Sequence, residues 1–271
     1  MKDIPISDKI LELDIAIKAA KDAGEAILNV YQEEYKISKK NDNSPITEAD
    51  VKSNEVIKKI LSQTKHMILS EEDKDDKTRL LKKTIWIVDP LDGTSDFIDK
   101  TGEFTVMIAL VKNKKPIIGV ISWPTENIMF VAQKGSGAFR YSNEDWEKIT
   151  VTKIVELTKC RTVGSRHHLS DKEKNFIKKL GIKNFKSVGS SLKVGMISSG
   201  DAEAYITTTN KMKEWDSAAS YCIISEAGGK MTDMLGNDIT YNNKKVYHEN
   251  GILVTNGLIH DKIIKEFKKL D

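Results

Sequence analysis

Two aspartates, Asp89 and Asp92, stand three positions apart at the end of an apolar run containing Ile85, Ile87 and Val88. The run reads as a buried strand. Pro90, which fixes its own φ and bars a helix at Asp89, is expected to stop it. Both carboxylates can then converge on one point, with the Leu91 carbonyl turned toward the same place. Gly93, Thr94 and Ser95 follow as a helix start, where unpaired backbone N–H groups attract an anion. Oxygen ligands beside an anion seat suit Mg²⁺ and a phosphate ester. The same composition also makes an ordinary turn, so the chemistry needs support from elsewhere. Two further acidic elements supply it. Glu71, Glu72 and Asp73 follow the apolar residues 67–69, and Trp215, Asp216, Ser217, Ala218 and Ala219 open a helix that closes at Glu226, Ala227, Gly228 and Gly229.

A phosphomonoester carries roughly two negative charges at neutral pH, and bare carboxylates would repel it. A cluster of Glu71, Asp89, Asp92 and Asp216 therefore makes sense only with divalent cations. Such ions invert the local field, lower the pKa of a bound water and shield the leaving oxygen. Glu71 and Glu72 are neighbours, and strand alternation turns only one of them inward. Asp216 alone would also serve as a helix N-terminal charge complementing the dipole. Asp50 follows Thr47 by three residues, the spacing of a capping box, so a purely structural Asp50 stands beside a catalytic one.

Taken together, the three acidic elements resemble the magnesium-dependent, lithium-sensitive phosphomonoesterase superfamily of inositol monophosphatases and bisphosphate nucleotidases. The resemblance runs from about Asp14 to Thr255. It implies two or three Mg²⁺ ions, one held by Glu71, Asp89 and the Leu91 carbonyl, the second by Asp89, Asp92 and Asp216. Glu71 is favoured over Glu72. It also makes Asp50 the acceptor of a hydrogen bond from the Thr94 hydroxyl, the pair orienting and deprotonating the attacking water. Thr94 is a poor nucleophile with no adjacent histidine, so direct in-line attack is expected, without a phospho-enzyme. Gly93, Thr94 and Ser95 fall on the phosphate side of the substrate site.

The second half should select the ester. Gly189, Ser190, Ser191, Leu192 and Lys193 read as a strand-to-helix passage, an anion-binding geometry with a cation one turn in. They resemble a nucleotidase segment there, as do Ser165, Arg166, His167 and His168, with His167 in place of the usual serine. The resemblance implies that Ser165, His168, Gly189 and Lys193 bind substrate, with Lys193 and His168 on the second phosphate or the ribose of 3'-phosphoadenosine 5'-phosphate. Removal of its 3'-phosphate would give AMP and phosphate. An inositol monophosphatase or inositol polyphosphate 1-phosphatase is the alternative, and a catalytically silent metal-binding scaffold a third. One departure concerns residues 95–97, where Ser95 and Asp96 precede Phe97 and nucleotidases commonly have Lys-Glu.

The whole chain must position these groups. Its 271 residues carry 31% charged side chains and a net charge of only +3. A chain of this length buries roughly three quarters of its unfolded surface. Lysine clusters such as 112–115 read as solvated loops, not a nucleic-acid surface. No stretch approaches the ~18 apolar residues that span a bilayer, and the start lacks a signal-type apolar core. Cys160 and Cys222 read as reduced core thiols of a cytoplasmic protein, monomer or homodimer.

Helical spacing marks residues 7–35, slackened at Gly24, and 47–61, with a polar connection over 36–43. Strands are expected at 67–69, 84–88, 104–111, 116–123 and 127–133, the last three in antiparallel hairpins. A second half from about 151 alternates strands (161–164, 185–187, 202–207, 230–232, 252–255) with helices (171–180, 191–199 and the one following Asp216). The class is α/β (α+β), and the resemblance adds a layered α-β-α-β-α sandwich of the sugar phosphatase type. Residues 1–150 would form an α+β lobe with most metal ligands. Residues 151–271 would form an α/β lobe with the substrate-binding residues and Asp216, within one continuous domain.

Overall fold

Helically spaced apolar residues become α1 (Leu11–Tyr31), whose buried face is rich in alanine (Ala16, Ala19, Ala20, Ala23), so its backbone can lie close to a sheet. A short antiparallel pair, β1 (Ile37–Lys39) and β2 (Pro45–Thr47), leads into α2 (Glu48–Leu61). This computed structural model describes residues 2–39 and 44–270; residues 40–43 of the expected 36–43 connection lie outside the described residues. Gly24 sits inside α1 without breaking it.

A seven-stranded sheet follows in chain order: β3 (Met67–Ser70), β4 (Thr84–Asp92), β5 (Thr105–Lys112), β6 (Lys115–Trp123), β7 (Ile128–Gln133), β8 (Gly137–Ser142) and β9 (Asp145–Ile149), with the short helix α3 (Thr94–Ile98) between β4 and β5. All neighbours are antiparallel except β3 and β4. Parallel pairing sets the carboxyl ends of β3 and β4 side by side, Ser70 opposite Val88, and demands a long return connection. The residue after β3 therefore lands beside Asp89.

Pro90 does not stop the strand. β4 continues to Asp92, and its register against β5 shifts between Asp89 and Asp92. A bulge absorbs the proline's missing N–H, and Ser53 Oγ bonds the Pro90 carbonyl at 2.7 Å. β8 and β9 were not expected. Asn143 and Glu144 both have positive φ and close a two-residue hairpin without its usual glycine, and β9 is mostly exposed. Lys115 is no solvated loop residue: it donates to Asp238 and to the Ile239 carbonyl.

The C-terminal half contains β10 (Arg161–Ser165), α4 (Asp171–Lys179), β11 (Asn184–Val188), α5 (Leu192–Ser198), β12 (Ala204–Thr207), α6 (Ala218–Glu226), β13 (Lys230–Thr232), β14 (Ile252–Thr255) and α7 (His260–Phe267). Its five strands lie in the order β11-β10-β12-β14-β13. Helix α7 was not among the expected elements; it places Ile263, Ile264 and Phe267 at helical spacing.

Side-chain alternation gives the layer order. Trp86 and Val88 of β4 face a core shared with α1 and α2. Ile85 and Ile87 face the opposite way, into a core built with α5, α6 and the inner side of the five-stranded sheet. Ala204, Ile206 and Leu253 on that sheet's outer side pack under α4 and α7. The order is α-β-α-β-α. Close approach of α6 to the large sheet depends on Gly119, where a Cβ would lie 2.4 Å from the Ala219 carbonyl oxygen.

Cys160 and Cys222 are buried free thiols. His260 is enclosed between Thr232 Oγ1 at 2.8 Å and Thr255 Oγ1 at 2.9 Å. Thr232 spends its own hydrogen on the Asp233 carbonyl, so His260 Nε2 donates and Nδ1 accepts. Burial pushes this imidazole down to about 4, against about 6.5 when unfolded. The folded state thus prefers the neutral ring, and its stabilisation is whole above pH 6.5 and lost as pH falls toward 4. Melting temperatures recorded from pH 7 to pH 5 should fall less steeply in His260→Gln than in the wild type; equal slopes would refute this assignment.

Candidate active site

Glu71, Asp89 and Asp216 meet: one carboxylate oxygen from each lies within 4.8 Å of the others. Each arrives by a different local device. Glu71 occupies the turn after β3, its N–H bonded to the Val88 carbonyl at 3.2 Å. Strand alternation does not choose it over Glu72, because β3 has already ended at Ser70; the turn does, and Glu71, not Glu72, lines the cavity. Asp89 sits at the bulge and accepts from the Leu91 N–H at 3.1 Å. Asp216 lies just ahead of α6, accepting from the Lys213 N–H at 2.7 Å.

Asp92 faces the same cavity but is bonded across the molecule. Its Oδ2 accepts from the Ser191 N–H at 2.5 Å and from Thr105 Oγ1 at 3.4 Å. Burial raises the Asp92 carboxyl, opposed by nearby Lys193. Burial and then Glu71 hold Asp216 well above the ordinary carboxylate range. An all-oxygen set this close together fits a hard divalent ion; Glu71, Asp89 and Asp216 would hold it, with Asp92 and the Leu91 carbonyl on the same wall.

Asp50 makes both the cap contact and the contact to Thr94. Its Oδ2 accepts from Thr47 N and Oγ1, both at 2.7 Å, closing the capping box of α2. Its Oδ1 accepts from Thr94 Oγ1 at 3.1 Å. Thr94 opens α3 behind Gly93, whose φ of +91° demands glycine, and where a Cβ would also meet Ser190 Cβ at 3.2 Å. Phe97 locks α3 in place against Tyr31, Tyr35 and Phe104, ring centroids 5.0, 4.9 and 5.2 Å away.

The cavity measures about 600 Å³ and reaches from these acids past Gly93, Thr94 and Ser95 to Ser165, His168 and Lys193. The expected anion seat at residues 189–193 is filled by the protein's own acids. Gly189 N–H donates to Glu103 at 2.6 Å, and Ser191 N–H to Asp92. Lys193 donates to the Ser190 and Val188 carbonyls, and burial pulls its ammonium pKa down. His168 lines the cavity and bonds Ser165 Oγ through its backbone. The two unusual residues touch: His167 Nε2 is 3.4 Å from Asp96, which also pairs with Arg166.

A family profile described as the Inositol monophosphatase family matches residues 10–271. The chain belongs to the inositol monophosphatase family. A 3'(2'),5'-bisphosphate nucleotidase CysQ from Shigella flexneri is 34% identical over 90% of this chain and 99% of its own length, and the Escherichia coli K12 protein of the same name matches equally. Among solved structures, CysQ from Bacteroides thetaiotaomicron superposes with a TM-score of 0.79 at 32% identity, covering 91% of this chain and 97% of its own. An IMPase from Thermotoga maritima reaches 0.83 at 26%, covering 96% and 98%. This inositol monophosphatase family member is thus a phosphatase with the family's layered fold.

Sequence reasoning missed the splint that fixes Asp216. Segment 212–217 is bonded along residues 242–248: Glu214 N–H to the Val246 carbonyl, His248 N–H to the Met212 carbonyl, and Ser217 Oγ to His248 Nε2 at 2.7 Å. Buried Glu214 accepts from Asn242 N, Asn243 N and Asn243 Nδ2 at 2.7, 2.8 and 3.0 Å. Glu214 gave no local signal, being one of four charged residues among 211–216. A Glu214→Gln side chain would turn an amide donor toward these N–H groups. It should cost about 2–3 kcal/mol in urea unfolding, and a loss under about 0.5 kcal/mol would contradict the splint.

Proposed function

We propose that the chain is a magnesium-dependent 3'(2'),5'-bisphosphate nucleotidase that removes the 3'-phosphate of 3'-phosphoadenosine 5'-phosphate, giving AMP and phosphate. The observation that carries this is the convergence of Glu71, Asp89 and Asp216 beside the Thr94–Asp50 hydrogen bond in one cavity. Two or three bound Mg²⁺ ions would supply charge neutralisation of the ester and a more acidic water. Residues 1–150 contribute Asp50, Glu71, Asp89, Asp92 and Thr94; residues 151–271 contribute Asp216 and the wall that meets the rest of the substrate.

In this reading the Thr94 hydroxyl orients the attacking water, and Asp50 Oδ1 receives the proton relayed through it. Asp50 suits that role because its other oxygen is pinned by the α2 cap, which fixes the carboxylate plane. Gly93, Thr94 and Ser95 precede the first intrahelical donor of α3, Phe97 N–H, and turn backbone N–H groups toward phosphoryl oxygens. Thr94 has no imidazole base to make it a nucleophile, which supports direct displacement. The nucleotide choice is supported by the CysQ relatives and by a cavity roomy enough for a nucleoside bisphosphate, with Ser165, His168 and Lys193 along its far wall; Gly189 is not among the lining residues, and its N–H is taken by Glu103.

Parallel phosphate-release assays on 3'-phosphoadenosine 5'-phosphate and inositol 1-phosphate test the substrate. The nucleotide should give the higher kcat/KM; exclusive turnover of the inositol ester would reject the proposal. Asp89→Asn should lower kcat by several orders of magnitude with an unchanged circular dichroism spectrum, and chelation should abolish activity. Lys193→Ala should raise KM for the bisphosphate far more than for a monophosphate. Equal effects would confine Lys193 to bracing the start of α5.

A further inference from the structure

Lys213 stands against the grouped acids. Its Nζ is 3.8 Å from Glu71 Oε1, and its backbone N–H is the donor to Asp216. One residue thus engages two of the three carboxylates. It is not a loose surface lysine, since its side chain is 17% exposed. The ammonium lies 5.3 Å from the Trp215 ring centroid and 5.7 Å from that of Tyr247. Aromatic faces hold a cation without neutralising it. The backbone beneath is fixed as well: Lys213 forms a β-bridge with Tyr247, and His248 bonds the Lys213 backbone.

Of the lysines that line the cavity, Lys193 answers to Asp92 and is spent on two carbonyls, and Lys211 lies toward His168. Lys213 is therefore the fixed positive charge nearest Glu71 among the described ion pairs. We propose that Lys213 is a tethered counter-cation of the metal site. It offsets the repulsion among the acids while no metal is bound, and it weakens the hold on a divalent ion by competing for Glu71. The concentration of divalent cation that fills the site is then set by this lysine, through charge and not through contact with substrate. The inference rests on the metal-dependent reading above.

The test is isothermal titration of metal-stripped full-length protein with MgCl₂ alone and MnCl₂ alone, beside thermal melts in chelator. Lys213→Met and Lys213→Gln should bind Mg²⁺ roughly ten-fold more tightly, the size expected for removing one like charge ~6 Å from a divalent ion in a largely aqueous dielectric. Lys213→Arg, which keeps the charge, should stay near the wild type. Without metal the Met and Gln variants should melt below the wild type, and saturating Mg²⁺ should close the gap. Unchanged or weaker Mg²⁺ affinity in both neutral variants overturns the proposal. So does a rise in KM for the ester with metal affinity unchanged, which makes Lys213 a substrate contact. A wild-type protein that takes up no divalent ion defeats the metal reading itself; a wild type that binds, with variants that bind equally, defeats only the role of the lysine.

Discussion

Like charges drawn into one pocket are the constraint around which this fold is organised. Three carboxylates within 4.8 Å of one another repel by roughly 3 kcal/mol per pair at an effective dielectric of about 20. The folded chain must hold that arrangement against both repulsion and burial. It does so with rigid neighbours. Glu71 hangs from a parallel strand pair, Asp89 from a bulge, and Asp216 from a turn splinted by residues 242–248. Each device fixes backbone, so the acids cannot relieve their strain by swinging apart.

Carboxylates also serve as internal anions that fasten the halves together. Asp92 and Glu103 accept from the N–H groups of Ser191 and Gly189, drawing the start of α5 onto the end of β4 and the loop after α3. Arg166 joins Asp96 and Glu103 from the far side. Glu226, part of the sequence motif but remote from the acids, accepts from Gly135 N and Gly137 N at 2.9 Å each and so braces the β7–β8 turn against α6. The motif thus mixes residues of the cavity with residues that only hold its frame.

Local sequence was enough to find the acids, since Asp89, Asp92, Thr94 and Asp216 all lie at strand or helix ends whose turn chemistry is written in adjacent residues. The capping box of Asp50 was equally local, and the structure adds a bond from Thr94, each carboxylate oxygen having its own donor. What escaped was non-local or weakly patterned. β9 is exposed and polar, so alternation could not announce it. Pro90 looked like a terminator because the compensating bulge is a property of the pairing with β5. The occupied N–H groups of residues 189 and 191 were invisible because Glu103 and Asp92 are far away in sequence. α7 shows its apolar face in the spacing of Ile263, Ile264 and Phe267 but carries no residue of the acidic cluster.

The splint on Asp216 has a temporal consequence. Residues 242–248 are synthesised after the segment they hold, whereas Asp50, Glu71, Asp89, Asp92 and Thr94 belong to elements that emerge from the ribosome much earlier. Domains fold from the N-terminal side as they are made. A nascent chain that ends before residue 242 can build the seven-stranded sheet yet has nothing to clamp the last acid. The last acid is thereby clamped only once residues 242–248 have followed it out of the ribosome and paired with segment 212–217.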